Sequence, residues 1–120
     1  MSSRAWQDSL RDILDAVAEI NAFTEGMDFD TFRADQKTLR AVEMNFVIIG
    51  EAAASIPDEV EKLHPEIPWS LMRGMRNRLV HAYFAVDDQI MWDTLHADLP
   101  DLQDGRRVRK AAFGTGTTAF

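Results

Sequence analysis

The sequence predicts an all-α fold: an antiparallel helical bundle of four longer helices and one short one, joined by short connections. Three observations predict it. Apolar residues recur three and four positions apart over most of the chain, the period of a helix face. No stretch alternates apolar and polar residues as a half-buried strand does. Asp, Gly and Pro stand between the periodic runs, where helices start and stop. A chain of 120 residues suits one domain with one core, and 46% apolar against 28% charged residues is the balance of a soluble globular protein.

The first helix is expected over residues 3–25. Trp6, Leu10, Ile13, Leu14, Val17 and Ile20 form its apolar stripe, and Asp8, Asp12, Asp15 and Glu19 take the other side. Gly26 suits its C-terminal cap. In the connection "MDFDTFRAD", Phe29 and Phe32 are placed to pin a short turn to the core. Asp35 caps a second helix over 36–56, with Leu39, Val42, Phe46, Ile49, Ala53 and Ile56 on the buried stripe. Val47, Ile48 and Ala52 broaden that stripe, so much of this helix is expected inside. Gly50 costs a helix interior about 1 kcal/mol relative to Ala, and close approach of a neighbouring helix is the expected compensation.

Pro57 ends the second helix and opens a short one, "PDEVEKLH". Pro65 and Pro68 set an extended link, and the next helix starts at Pro68 or Trp69. It carries "RGMRNRLVHAY", residues 73–83. Asp87 caps the last helix, whose core face is Met91 or Trp92, then Leu95, Leu99 and Leu102; Pro100 kinks or ends it. Residues 1–104 are thus read as the helical domain. Residues 105–120, basic and containing Gly and Thr, are read as a disordered tail.

With no cysteine, disulfides and thiolate metal sites are excluded, which suits a reducing cytoplasm. The N-terminus has no apolar core of a secretory signal, and no run reaches the roughly 20 apolar residues of a membrane span. A net charge of −7 argues against a general nucleic-acid coat. The distribution of charge says something different. Residues 105–120 hold four cations and no acid, so residues 1–104 carry −11. Yet no Asp or Glu occurs from Ile67 to Val86, the segment that holds Arg73, Arg76, Arg78 and His81.

That focused positive segment is the candidate site. At about 100° per residue Tyr83 lies almost directly below Arg76, whereas His81 sits about 140° round from it. Either the arginine side chain curls round, or the helix loosens before His81, or the two groups meet across a symmetric dimer. Arginine offers a planar fork of donors to phosphate oxygens, and histidine takes or gives a proton near neutral pH. RNA supplies its own nucleophile, the 2′-hydroxyl. A base for its proton and a cation for the charge on the phosphorane suffice for cleavage, with no metal and no cofactor. On spacing alone an Arg-x4-His pair is a weak motif, and a solvated helix face is the competing reading.

The remaining polar candidates divide in the same way. His64 is expected to cap the short helix and His96 to lie on an exposed or boundary face; no histidine pair has metal-ligand spacing. Glu51 either pairs with an arginine of the motif helix or faces solvent. Asn77, one turn before His81, is placed to orient it. Arg73 and Arg78 either steer RNA phosphates or are plain surface charges. Met72 and Met75 are expected to fill the core or a dimer interface.

Four blocks then carry a resemblance: "DFDTFRAD", "RAVEMNFVIIGEAA", "HPEIPWSLMRGMRNRLVHAYFAVD" and "MWDTLHADLPDL". Their order and spacing resemble the HepT-like HEPN proteins, the toxin halves of bacterial and archaeal HEPN/MNT toxin–antitoxin pairs, from about Trp6 to Leu102. Arg76, four residues, His81, one residue and Tyr83 reproduce the family's R-x4-H-x-Y motif. The resemblance implies a HEPN helical bundle that forms a homodimer. It implies a metal-independent ribonuclease with Arg76 and His81 as its catalytic residues. It also implies that Tyr83 is the tyrosine to which a partner nucleotidyltransferase antitoxin adds AMP.

Three functions remain open on the sequence. One is an endoribonuclease toxin acting through Arg76 and His81. The second is a non-catalytic HEPN module that binds a nucleotide or a nucleotidyltransferase. The third is a structural helical dimer.

Overall fold

A computed structural model describes residues 5–82, 86–97 and 99. In chain order the helices are α1 (Trp6–Thr24), α2 (Phe29–Ala34), α3 (Gln36–Ala54), α4 (Asp58–Leu63), α5 (Trp69–His81) and α6 (Asp88–Ala97). No strand occurs among the described residues. Helix α3 lies at the centre, packed against α1 on one side and α5 on the other, while α2 bridges α3 and α6.

The predicted stripe of α1 is the one buried: Leu10, Ile13, Val17 and Ile20 are at most 1% exposed, with Trp6 and Leu14 packed at the edge. Beyond the helix end, Gly26 takes φ +76°, the left-handed region that an L side chain rarely adopts, and the Met27 N–H reaches back to the Thr24 carbonyl.

The connection read as a turn is a helix. Asp28 and Thr31 close a capping box: the Thr31 N–H donates to Asp28 Oδ1 at 2.8 Å, and the Asp28 N–H donates to Thr31 Oγ1 at 2.9 Å. The Thr31 backbone and side-chain hydrogen bonds hold the Asp28 carboxyl below the ordinary aspartate pKa. Phe32, fully buried, lies 5.1 Å from the Trp92 ring and Phe29 lies 6.2 Å from it, so the two phenylalanines anchor this stretch as expected.

Asp35 caps α3 through the Thr38 N–H. The helix stops at Ala54 rather than Ile56. Ile56 precedes Pro57, whose ring disfavours the helical region for that residue, and the last N–H groups fold back on Ala52 and Ala53. The breadth expected of the α3 stripe is corrected at Ile48, which is 39% exposed beside the still more exposed Met44. Two helices cover two sides of α3, and the strip through Met44, Ile48 and Glu51 is left facing outward. Asn45 is an unforeseen core residue: its amide donates to the Ala41 carbonyl at 3.0 Å and to Glu19 Oε1 at 3.3 Å, tying α3 to α1.

Pro57 stands at the N-cap of α4 and His64 at its C-cap, and the Trp69 indole donates to the His64 carbonyl at 3.0 Å, fastening the proline link. Asp87 caps α6 through the Ile90 N–H. Met91 rather than Trp92 is the fully buried member of that face, followed by Leu95 and Leu99. Tyr83, Pro100, Leu102 and the tail over 105–120 lie outside the described residues.

Candidate functional site

Helix α5 buries Trp69, Met72, Met75 and Leu79 and turns its cations away from that row. The two methionines are core, at 5% and 4% exposure. The helix stays regular through His81, and the Ala82 N–H closes it on the Arg78 carbonyl. The loosening before His81 that the sequence left open does not occur.

Arg76 sits where α5 crosses α3. Gly50 makes the crossing possible: a Cβ there would overlap the Arg76 Cβ and come within 2.7 Å of the Met72 carbonyl oxygen. The expected compensation for that glycine is thus the close approach of α5. The next residue, Glu51, accepts from Arg76 Nε at 2.6 Å through Oε1, and the same oxygen forms an ion pair with Nη2 at 2.5 Å. The Arg76 side chain is 29% exposed and that of Glu51 55%. Of the two alternatives for Glu51, pairing with the motif helix is the one adopted.

Asn77 binds Arg76, not His81. Its side-chain oxygen accepts from Arg76 Nη1 at 2.7 Å. A guanidinium has five N–H donors. Glu51 and Asn77 accept from Nε and Nη1, so N–H donors remain on both terminal nitrogens, enough for a two-point contact with phosphate oxygens.

His81, the last residue of α5, is exposed, and among the described residues its ring makes no hydrogen bond or ion pair. Arg73 is bound to Glu61 of α4 at 2.5 Å. Arg78 is exposed with no ion pair among the described residues. His96 is exposed, with Nδ1 3.0 Å from the Trp92 carbonyl oxygen, and the His64 ring lies 3.6 Å from a Glu66 carboxylate oxygen. Among the described residues no group of three or more His, Cys, Asp or Glu is placed to hold a metal. No described helix is long and apolar enough to cross a membrane.

Sequence reasoning missed the Arg76–Asn77 bond. Adjacent residues on a helix point about 100° apart, so spacing rules give no signal for it; the arginine's length makes it possible.

Fold and sequence together define the class: among the described residues an all-helical HEPN-type bundle, in a chain whose sequence carries R-x4-H-x-Y with Arg76 and His81 on α5. The ribonuclease HepT-like family profile matches residues 13–107, and the chain belongs to that family. It is 45% identical over 100 residues to a protein of Thermococcus cleftensis named as a probable ribonuclease HepT, covering 83% of this chain and 91% of that one. It is 37% identical over 106 residues to a protein of Methanocaldococcus jannaschii provisionally named an RNase, covering 88% of each. A third relative, from Caldanaerobacter subterraneus and also provisionally named an RNase, is 37% identical over 79 residues, 66% of this chain and 70% of its own. No solved structure matches the chain.

Proposed function

We propose that the protein is a metal-independent endoribonuclease, the toxin of a HEPN/MNT toxin–antitoxin pair, with Arg76 and His81 as its catalytic residues. The observation that carries this reading is Arg76 itself. It is held at the α3–α5 crossing with N–H donors left on both terminal nitrogens, in an acid-free segment that ends its helix on an exposed histidine. The relatives' ribonuclease names support the substrate class.

In the proposed reaction the substrate 2′-hydroxyl attacks the adjacent phosphorus while a histidine removes its proton. The 5′-oxygen of the next nucleotide leaves with a proton returned to it, giving a 2′,3′-cyclic phosphate and a 5′-hydroxyl. Arginine stabilises the charge that develops on the phosphorane. On a regular helix Arg76 and His81 point about 140° apart and stand about 7.5 Å apart along the axis. A homodimer solves this by setting Arg76 of one protomer beside His81 of the other. Tyr83, two residues past His81, is proposed as the site where a nucleotidyltransferase antitoxin adds AMP; the added bulk and negative charge repel RNA from the cleft. The proposed setting is the cytoplasm.

The test is cleavage in excess EDTA of an RNA and of its all-2′-deoxy copy. The expected result is a cut RNA and an intact deoxy strand. Cleavage of both, or of neither until a divalent ion is added, overturns the reading.

A further inference from the structure

We propose that Glu51 is a positioning residue for Arg76: it grips the inner edge of the guanidinium so that the outer donors are presented to the RNA phosphate. The inference deepens the ribonuclease reading and rests on it.

The geometry sets Glu51 apart from an ordinary surface partner. Exposed ion pairs usually hold each other loosely and contribute little. Here one carboxylate oxygen accepts from Nε of Arg76 and forms an ion pair with Nη2, and Asn77 accepts from Nη1. A guanidinium is planar, so contacts at both ends of the plane fix its orientation as well as its position. The root of the side chain is fixed too, because its Cβ lies against Gly50 with no room for another atom between. Gly50 and Glu51 are consecutive on α3, one seating the base of Arg76 and the other its head.

The sign of the effect follows from charge. Glu51 is an anion beside the group that must bind an anion, so its charge works against RNA affinity. Were it a surface for RNA, its removal would weaken binding. As a positioning residue, its removal leaves affinity unchanged or improved and slows the chemical step. A loss confined to kcat is thus the signature. Misplacement of a reacting group by about 1 Å costs up to about a hundredfold in rate.

The experiment compares the parent with Glu51→Ala and Glu51→Gln by steady-state RNA cleavage and by 1H–15N spectra of arginine side chains, in which Arg76→Lys identifies the Arg76 Nε–H signal. Glu51→Ala is expected to lose about tenfold to a hundredfold in kcat with no rise in KM, while Glu51→Gln, which keeps an acceptor oxygen, recovers to within about threefold of the parent. The Nε–H signal is expected sharp in the parent and in Glu51→Gln, and lost to exchange in Glu51→Ala. The proposal is overturned if Glu51→Ala cuts as fast as the parent or faster, if KM rises with kcat unchanged, if both variants lose cleavage and thermal stability together, or if the signal stays equally sharp in Glu51→Ala. If the parent itself cuts no RNA, the ribonuclease reading falls. The Nε–H comparison then still decides whether Glu51 holds Arg76.

Discussion

The arginines of α5 are not equivalent, and their partners say why. Arg73 is neutralised by Glu61, Arg76 is gripped by Glu51 and Asn77, and Arg78 is exposed with no ion pair among the described residues. Each phosphate contact adds to the salt dependence of nucleic-acid binding. If RNA runs along this helix, Arg78→Ala weakens its binding and lowers the salt slope by about one contact, whereas Arg73→Ala changes it little. Titrating a short 2′-deoxy oligonucleotide at several salt concentrations checks this. Equal losses from the two variants would show that Arg73 abandons Glu61 for phosphate.

At the scale of the helices, two glycines make opposite predictions. Gly50 lies against the Arg76 Cβ and the Met72 carbonyl, whereas a Cβ at Gly74 in α5 would meet nothing within 4 Å. Gly50→Ala is expected to lower stability by about 1–3 kcal/mol from overpacking, in spite of the better helix propensity of Ala. Gly74→Ala is expected to raise it by about 0.5–1 kcal/mol, since the helix gains propensity without a clash. Urea denaturation of both variants is the check, and a stabilised Gly50→Ala would mean that α3 and α5 can slide apart.

Most of this level was legible beforehand. The stripes of α1 and α3, the caps at Asp35 and Asp87, the proline breaks and the close approach at Gly50 all follow from periodicity and cap chemistry. What escaped has physical reasons. Helix α2 is six residues long, too short for a period, and only the Asp28/Thr31 spacing marked it. Ile48 is apolar yet outside, because hydropathy tells how wide a stripe is but not which neighbours arrive to cover it. Asn45 is polar yet inside, because its amide is satisfied by Ala41 and Glu19 from two different helices. The Arg76–Glu51 pair joins residues 25 apart in sequence, so the motif helix alone could name the arginine but not choose between its partner and solvent.

At the scale of the whole molecule the proposed reaction turns on which group faces Arg76. The regular course of α5 through His81 leaves the two groups on different sides of one helix, and the homodimer with a shared cleft is proposed on that ground. The consequence can be read by complementation. Arg76→Ala and His81→Ala are each expected to be inactive. Their mixed dimers are expected to regain cleavage, because one of the two clefts then combines an intact arginine with an intact histidine. A mixture as silent as its components, once exchange of subunits is verified, would place both groups of a site on the same chain.

The chemistry of the cut ends distinguishes a metal-free nuclease from a binding module. Protein checked by mass for added AMP would be incubated with mixed RNA in excess EDTA beside His81→Ala, and the fragments analysed. The expected result is 2′,3′-cyclic phosphate and 5′-hydroxyl ends from the parent and intact RNA from His81→Ala. Intact RNA from unmodified parent, or the same fragments from His81→Ala at equal folding, would contradict it.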